Sequence, residues 1–221
     1  MLQGIKSVLV GVTEEGKDEP SSALGYGLSL ALQAEAHVTV QAAALKIVLH
    51  HAFVSSYAAG LVKAENRRIH ALADAVSERT RGEADATGVV CTVERPQLAF
   101  SDLRAAFLAQ ARVNDVCILG AEPSAIDIDR GLIEAVLFES GRPLLIVPPG
   151  RVAFAARRIL VAWDGSVPSA RALGDALPLL RAADAVELVS LWARRICRSW
   201  SRARTPHRIS PGMASTSRSR P

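Results

Sequence analysis

Arg157–Ser166 reads Arg-Arg-Ile-Leu-Val-Ala-Trp-Asp-Gly-Ser, and Lys6–Thr13 reads Lys-Ser-Val-Leu-Val-Gly-Val-Thr. Each begins on a basic residue, runs through an apolar stretch of strand length and ends in a polar turn. The correspondence continues downstream: Ala23, Leu24, Gly25 and Leu28 recur as Ala172, Leu173, Gly174 and Leu177, and Ala36 and Val40 recur as Ala185 and Val189. The first strands match at an offset of 151 and the residues after the turn at 149, so the first copy carries two extra residues in Glu14–Glu19. Self-similarity of this length indicates duplicated domains, not a short-period solenoid.

Between the two copies, apolar runs alternate with amphipathic stretches. Ile5–Val12 and Val89–Val93 read as strands, as do His37–Ala43, Asp115–Leu119 and Pro143–Val147; near-continuous apolar runs of this kind suit strands buried on both faces. Helices are predicted from Pro20 to Ala34, where Leu24, Leu28 and Leu32 keep helical spacing, from Ala58 to Ala86, from Ser101 (the expected N-cap) to Arg112, and from Leu132 to Ser140. The stretch from Leu45 to Tyr57 has no decisive periodicity. Five strands alternating with four helices imply an α/β fold, a doubly wound five-stranded parallel sheet over residues 1–147. A linker follows at 148–156, marked by Pro148-Pro149-Gly150, and 157–191 supplies a partial second β-α-β copy: strand Arg158–Trp163, helix Pro168–Ala182 and strand Val186–Leu191.

The tail, 192–221, is different in kind. It carries eight arginines and no acid, so of the chain's 26 basic residues 18 remain in the body against 22 acids, a net charge of −4 there although the whole chain is +4. A body of that sign has no electrostatic footprint for nucleic acid, and the tail alone offers only non-specific affinity. Rich in Ser, Arg and Pro, the tail is expected to be disordered, and its abrupt onset reads as a non-homologous ending of the kind a shifted reading frame produces. Cys91, Cys117 and Cys197 are too few and too irregularly spaced for a disulfide framework or a four-cysteine zinc site. No signal peptide or apolar span is evident, and a cytoplasmic protein with reduced thiols is expected.

Four stretches together resemble the universal stress proteins in their tandem-domain form: Lys-Ser-Val-Leu-Val-Gly-Val at 6–12, Asp-Val-Cys-Ile-Leu-Gly at 115–120, Gly-Arg-Pro-Leu-Leu-Ile-Val-Pro at 141–148 and Arg-Ile-Leu-Val-Ala-Trp-Asp-Gly-Ser at 158–166. The resemblance implies strand order 3-2-1-4-5, with any nucleotide at the switch point beside strands one and four. In members that bind ATP an Asp follows strand one, and a Gly-x-x-Gly loop after strand four is followed nine residues later by Gly and Ser or Thr, because bare backbone amides at a helix start cradle phosphates.

This chain departs from that pattern. Thr13 stands at the Asp position, and after Gly120 the sequence Ala-Glu-Pro-Ser-Ala-Ile-Asp-Ile-Asp-Arg-Gly holds no Gly-x-x-Gly, a Pro without an amide donor and three acids that repel a polyphosphate. The positions left to touch a nucleotide are Thr13 and Gly120 in the first copy and Asp164, Gly165 and Ser166 in the second, where the alternative role is a helix-capping turn. No cofactor is therefore expected. His37, His50, His51 and His70 lack ligand spacing for a metal, Cys117 reads as a small buried hydrophobe, and Ser140 has no hydrolase-elbow context. The expectation is a non-catalytic stress-adaptation protein acting through protein association, with Pro143–Val147 as a candidate self-association edge and strand 157–163 able to pair at a neighbouring surface. A second reading is an ATP-binding or slowly ATP-hydrolysing switch; a third is nucleic-acid binding through the tail.

Overall fold

The computed structural model describes residues 2–12, 22–42, 44–47, 56–121 and 128–190. They fall into two compact units, one within Ile5–Phe154 and a second made of residues 2–4 and 155–190.

In the first unit the chain runs β1 (Ser7–Val12), α1 (Ser22–Ala34), β2 (His37–Ala42), β3 (Ala44–Leu45), α2 (Ser56–Thr87), β4 (Cys91–Glu94), β5 (Gln97–Leu98), α3 (Phe100–Val113), β6 (Val116–Gly120), α4 (Ile128–Ala135) and β7 (Leu144–Val147). The five principal strands are all parallel and lie in the order β4-β2-β1-β6-β7. Counted along the chain this is 3-2-1-4-5, the order the resemblance implied. β1 pairs with β2 from Ser7↔His37 to Val12↔Ala42 and with β6 from Val8↔Val116 to Val10↔Ile118.

Central strands must be apolar on both faces because helices cover both. Val8, Leu9 and Val10 are fully buried: Leu9 packs with Phe107, Leu108, Cys117, Leu119, Leu132 and Val136 beneath α3 and α4, while Val10 lies under Gly27 of α1. Gly11 permits close approach at the first of these faces. A Cβ there would fall 2.5 Å from Leu119 Cδ2 and 2.9 Å from Phe107 Cε2.

Local boundaries in this unit differ from the sequence expectation at several points. The third principal strand begins at Cys91, not Val89; Gly88 holds φ +72° and Val89 N–H still bonds Ala84 O at 3.1 Å, so the helix cap consumes the first residues of that run. Helix α3 starts at Phe100 after an Ala99 N-cap that offers no side-chain bond, and the Ser101 hydroxyl turns to Asp102 instead. The helix expected at Leu132–Ser140 begins earlier, at Ile128, and widens over Val136–Ser140 into a π-helical turn closed by Gly141 at φ +69°. Two short parallel strands, β3 and β5, pair with each other as Ala44↔Gln97 and Leu45↔Leu98.

Residues 148–154 lie against α1. Gly150 N–H donates to Ser22 Oγ at 2.9 Å, Phe154 N–H to Ser29 Oγ at 3.1 Å, and Gln33 Nε2 to Phe154 O at 3.0 Å. The Phe154 ring meets Tyr26 edge to face at 5.6 Å.

The described part of the second unit is a β-α-β hairpin of parallel strands, β8 (Arg158–Trp163) and β9 (Ala185–Ser190), in register from Arg158↔Ala185 to Trp163↔Ser190. The single helix expected at Pro168–Ala182 is two, α5 (Val167–Asp175) and α6 (Leu177–Ala182). Pro178 causes the break, since it has no N–H to give the preceding turn and its ring collides with the carbonyl four residues back.

Candidate functional site

In an open parallel sheet the place to look for a ligand is the carboxyl end of the strands at the switch point, here between β1 and β6. The two strands arrive there through Val12 and Gly120. Gly120 is the last residue of β6: it pairs with Val147 in the β6–β7 ladder, and the next amide, Ala121 N–H, donates to Val147 O at 2.7 Å. That donor is committed to the sheet. Thr13, the loop 122–127, His50, His51 and everything from 191 onward lie outside the described residues.

Asp164, Gly165 and Ser166 sit in the second unit, at the turn from β8 into α5. Asp164 Oδ1 accepts from Ser166 N–H at 2.9 Å, and Ser166, the N-cap, accepts from Ser169 N–H at 3.2 Å. Ser169 Oγ donates back to Ser166 O at 2.9 Å. Gly165 holds φ +78°, a left-handed conformation that a side chain would strain. Hydrogen bonds from the Ser166 side chain, the Ser166 amide and the Ser169 side chain hold the Asp164 carboxyl down at about 2. The motif is a self-contained capping turn whose polar atoms already serve one another.

Cys117 lies in β6 with its side chain fully buried, and burial pushes its thiol up to about 12 against a small opposing influence of Arg142. It offers no thiolate at neutral pH. Cys91 is half-buried and its thiol is also raised, chiefly by burial. His37 Nε2 meets Thr92 Oγ1 at 3.0 Å across β2 and β4, and His70 Nδ1 meets Asp74 Oδ2 at 3.0 Å along α2. Among the described residues no three His, Cys, Asp or Glu side chains converge where they could hold a metal, and no helix is long and apolar enough to cross a membrane.

The sheet order and these turns can be set beside known proteins. A solved universal stress protein from Archaeoglobus fulgidus superposes with a TM-score of 0.56 at 16% identity, over 82% of this chain and 65% of its own. The chain has the universal stress protein fold. It spans about two thirds of that Archaeoglobus chain. A structure from the universal stress protein family of Burkholderia pseudomallei aligns over 63% of this chain and 95% of its own, with 17% identity and a TM-score of 0.40. The sequence matches no protein-family model and no curated protein.

Two further features lie away from the switch point and the Asp164 turn. The first is β7, a sheet edge whose Ile146 is 49% exposed, preceded by a π-helical turn that exposes Leu137 and Phe138. The run Pro143–Val147 already marks the strand, but nothing in the run marks the turn. The second is a concavity along α2 bordered by Lys63, Arg67 and His70. Its trace in the sequence is that neither Lys63 nor Arg67 has an acidic residue three or four positions away.

Proposed function

We propose that this is a non-catalytic stress-adaptation protein that works through protein association at the free edge of β7 and does not bind ATP. The observation that supports it best is the character of that edge. Sheet edges that must stay solitary carry charges, bulges or proline within the strand. Leu144-Leu145-Ile146-Val147 has none of these. Cys117 N–H donates to Pro143 O at 2.9 Å and Ala121 N–H to Val147 O at 2.7 Å. Alternation along the strand therefore turns the backbone groups of Leu144 and Ile146 outward, where a second strand would find them. The chemistry fits an isologous pairing of two copies about a two-fold axis.

Three local facts speak against ATP. Thr13 replaces the expected acid, the segment after Gly120 is acidic and contains Pro123, and the amide following Gly120 is spent in the ladder. The capping role of Asp164 weakens the one intact acidic turn as a ligand contact. Light scattering after size exclusion tests the association, with the mass of two chains expected in the micromolar range. Titration with a fluorescent ATP analogue tests the remainder: no saturable binding is expected, and micromolar binding lost in Asp164→Ala would overturn it.

A further inference from the structure

The concavity along α2 has a volume of about 350 Å³, within the range of small-ligand sites. It is an open concavity lined by Ala59, Val62, Lys63, Asn66, Arg67 and His70 of the helix and by Gln97. Its charge is one-sided. Arg68 and Arg81 on the same helix each bond an acid three residues earlier, Glu65 at 2.8 Å and Glu78 at 2.6 Å. Lys63 and Arg67 have no carboxylate partner among the described residues; the one bond between them runs from Arg67 Nε to the Lys63 carbonyl at 3.4 Å. Spaced by four and three residues, Lys63, Arg67 and His70 lie on one helix face, with the two like charges of Lys63 and Arg67 at neighbouring positions.

The walls are held in place independently of any ligand. Asn66 clamps the strand flank, its Oδ1 accepting from Ile47 N–H at 2.8 Å and its Nδ2 donating to Ile47 O at 2.9 Å. Gln97 Nε2 donates to Asn66 O at 3.4 Å. Asp74, one turn beyond His70, is engaged on one oxygen by Arg95 and on the other by His70 Nδ1, a contact that orients the imidazole.

We infer that this groove is a binding site for a small phosphomonoester with a ring-sized apolar body, the phosphate lying between Lys63 and Arg67 and the ring on Ala59 and Val62. Two cations without a carboxylate partner among the described residues match a phosphate dianion, a point charge from Lys63 and a planar fork from Arg67. The apolar wall supplies the selection for an organic ester over the bare ion.

Phenyl phosphate titrated into the full chain, followed by amide chemical shifts, tests this. Saturable shifts at Asn66 and Gln97 are expected, with at least tenfold weaker binding for inorganic phosphate. Lys63→Gln combined with Arg67→Gln should abolish the shifts, whereas Arg68→Gln, which removes the same kind of charge outside the groove, should leave them intact. Shifts located elsewhere, an equal loss in Arg68→Gln, or equal affinity for inorganic phosphate would overturn the assignment.

Discussion

Asp115 and Ser7 bond each other reciprocally at the amino ends of the two central strands: Ser7 N–H donates to Asp115 Oδ2 at 3.0 Å, and Asp115 N–H donates to Ser7 Oγ at 3.0 Å. The same Oδ2 accepts from Lys6 N–H at 2.7 Å. One carboxylate therefore satisfies two backbone donors at the end of β1 and fixes the entry of β6 beside it. Asp115→Ala strands those amides, and a loss of about 1–3 kcal/mol is expected, read as a lower urea midpoint. Asp115→Asn, which keeps an acceptor, should lose less; equal losses would contradict the hydrogen-bond account.

Gly11 marks the other end of the same strand. Because a Cβ there would meet Leu119 Cδ2 and Phe107 Cε2 at 2.5 and 2.9 Å, Gly11→Ala forces those two side chains out of their packed positions. Overpacking of this kind costs about 1–3 kcal/mol. A denaturation curve unchanged by the substitution would show that the interface has slack the packing denies.

The thiol of Cys117 should be inert. In a variant with Cys91→Ser and Cys197→Ser, a disulfide reagent at pH 8 should release no thiolate equivalent from the native protein and one from the denatured protein. Burial sets the expectation, since it holds the native thiol near 12, far above that pH. Rapid native reaction would mean that β6 opens locally.

Asp164 gives a pH-dependent signature of the capping turn. Its folded value, about 2, lies below the ordinary 3.8, so its contribution to the second unit is complete above the ordinary value and is lost as pH falls through about 2. The Gly165 and Ser166 amide resonances should titrate with that low midpoint, and Asp164→Asn should remove the transition. A midpoint near 4 would show that the turn does not hold the carboxylate.

The principal sheet is legible in the sequence because each central strand is a run of apolar residues long enough to register, and because Lys6–Val12 is echoed at Arg157–Trp163. Strands of two residues, such as Gln97–Leu98, carry no periodicity and cannot be read that way. Pro178 is visible in the sequence, yet the apolar spacing of Leu173, Leu177 and Leu180 on either side of it reads as one helix where there are two. Helical spacing puts Lys63 and Arg67 on one face of α2. Whether such a face is flat or concave depends on the 44–47 and 97–98 segments, which approach α2 only in the folded chain.

Ile146→Pro separates pairing at the outward edge of β7 from the integrity of the sheet. The substitution removes an amide that alternation turns away from β6, so the β6–β7 ladder survives while the outward edge loses a donor. Light scattering across the micromolar range should give the mass of two chains for the unaltered protein and of one for Ile146→Pro. A single-chain mass for the unaltered protein, or a two-chain mass that persists in the variant, would contradict the account.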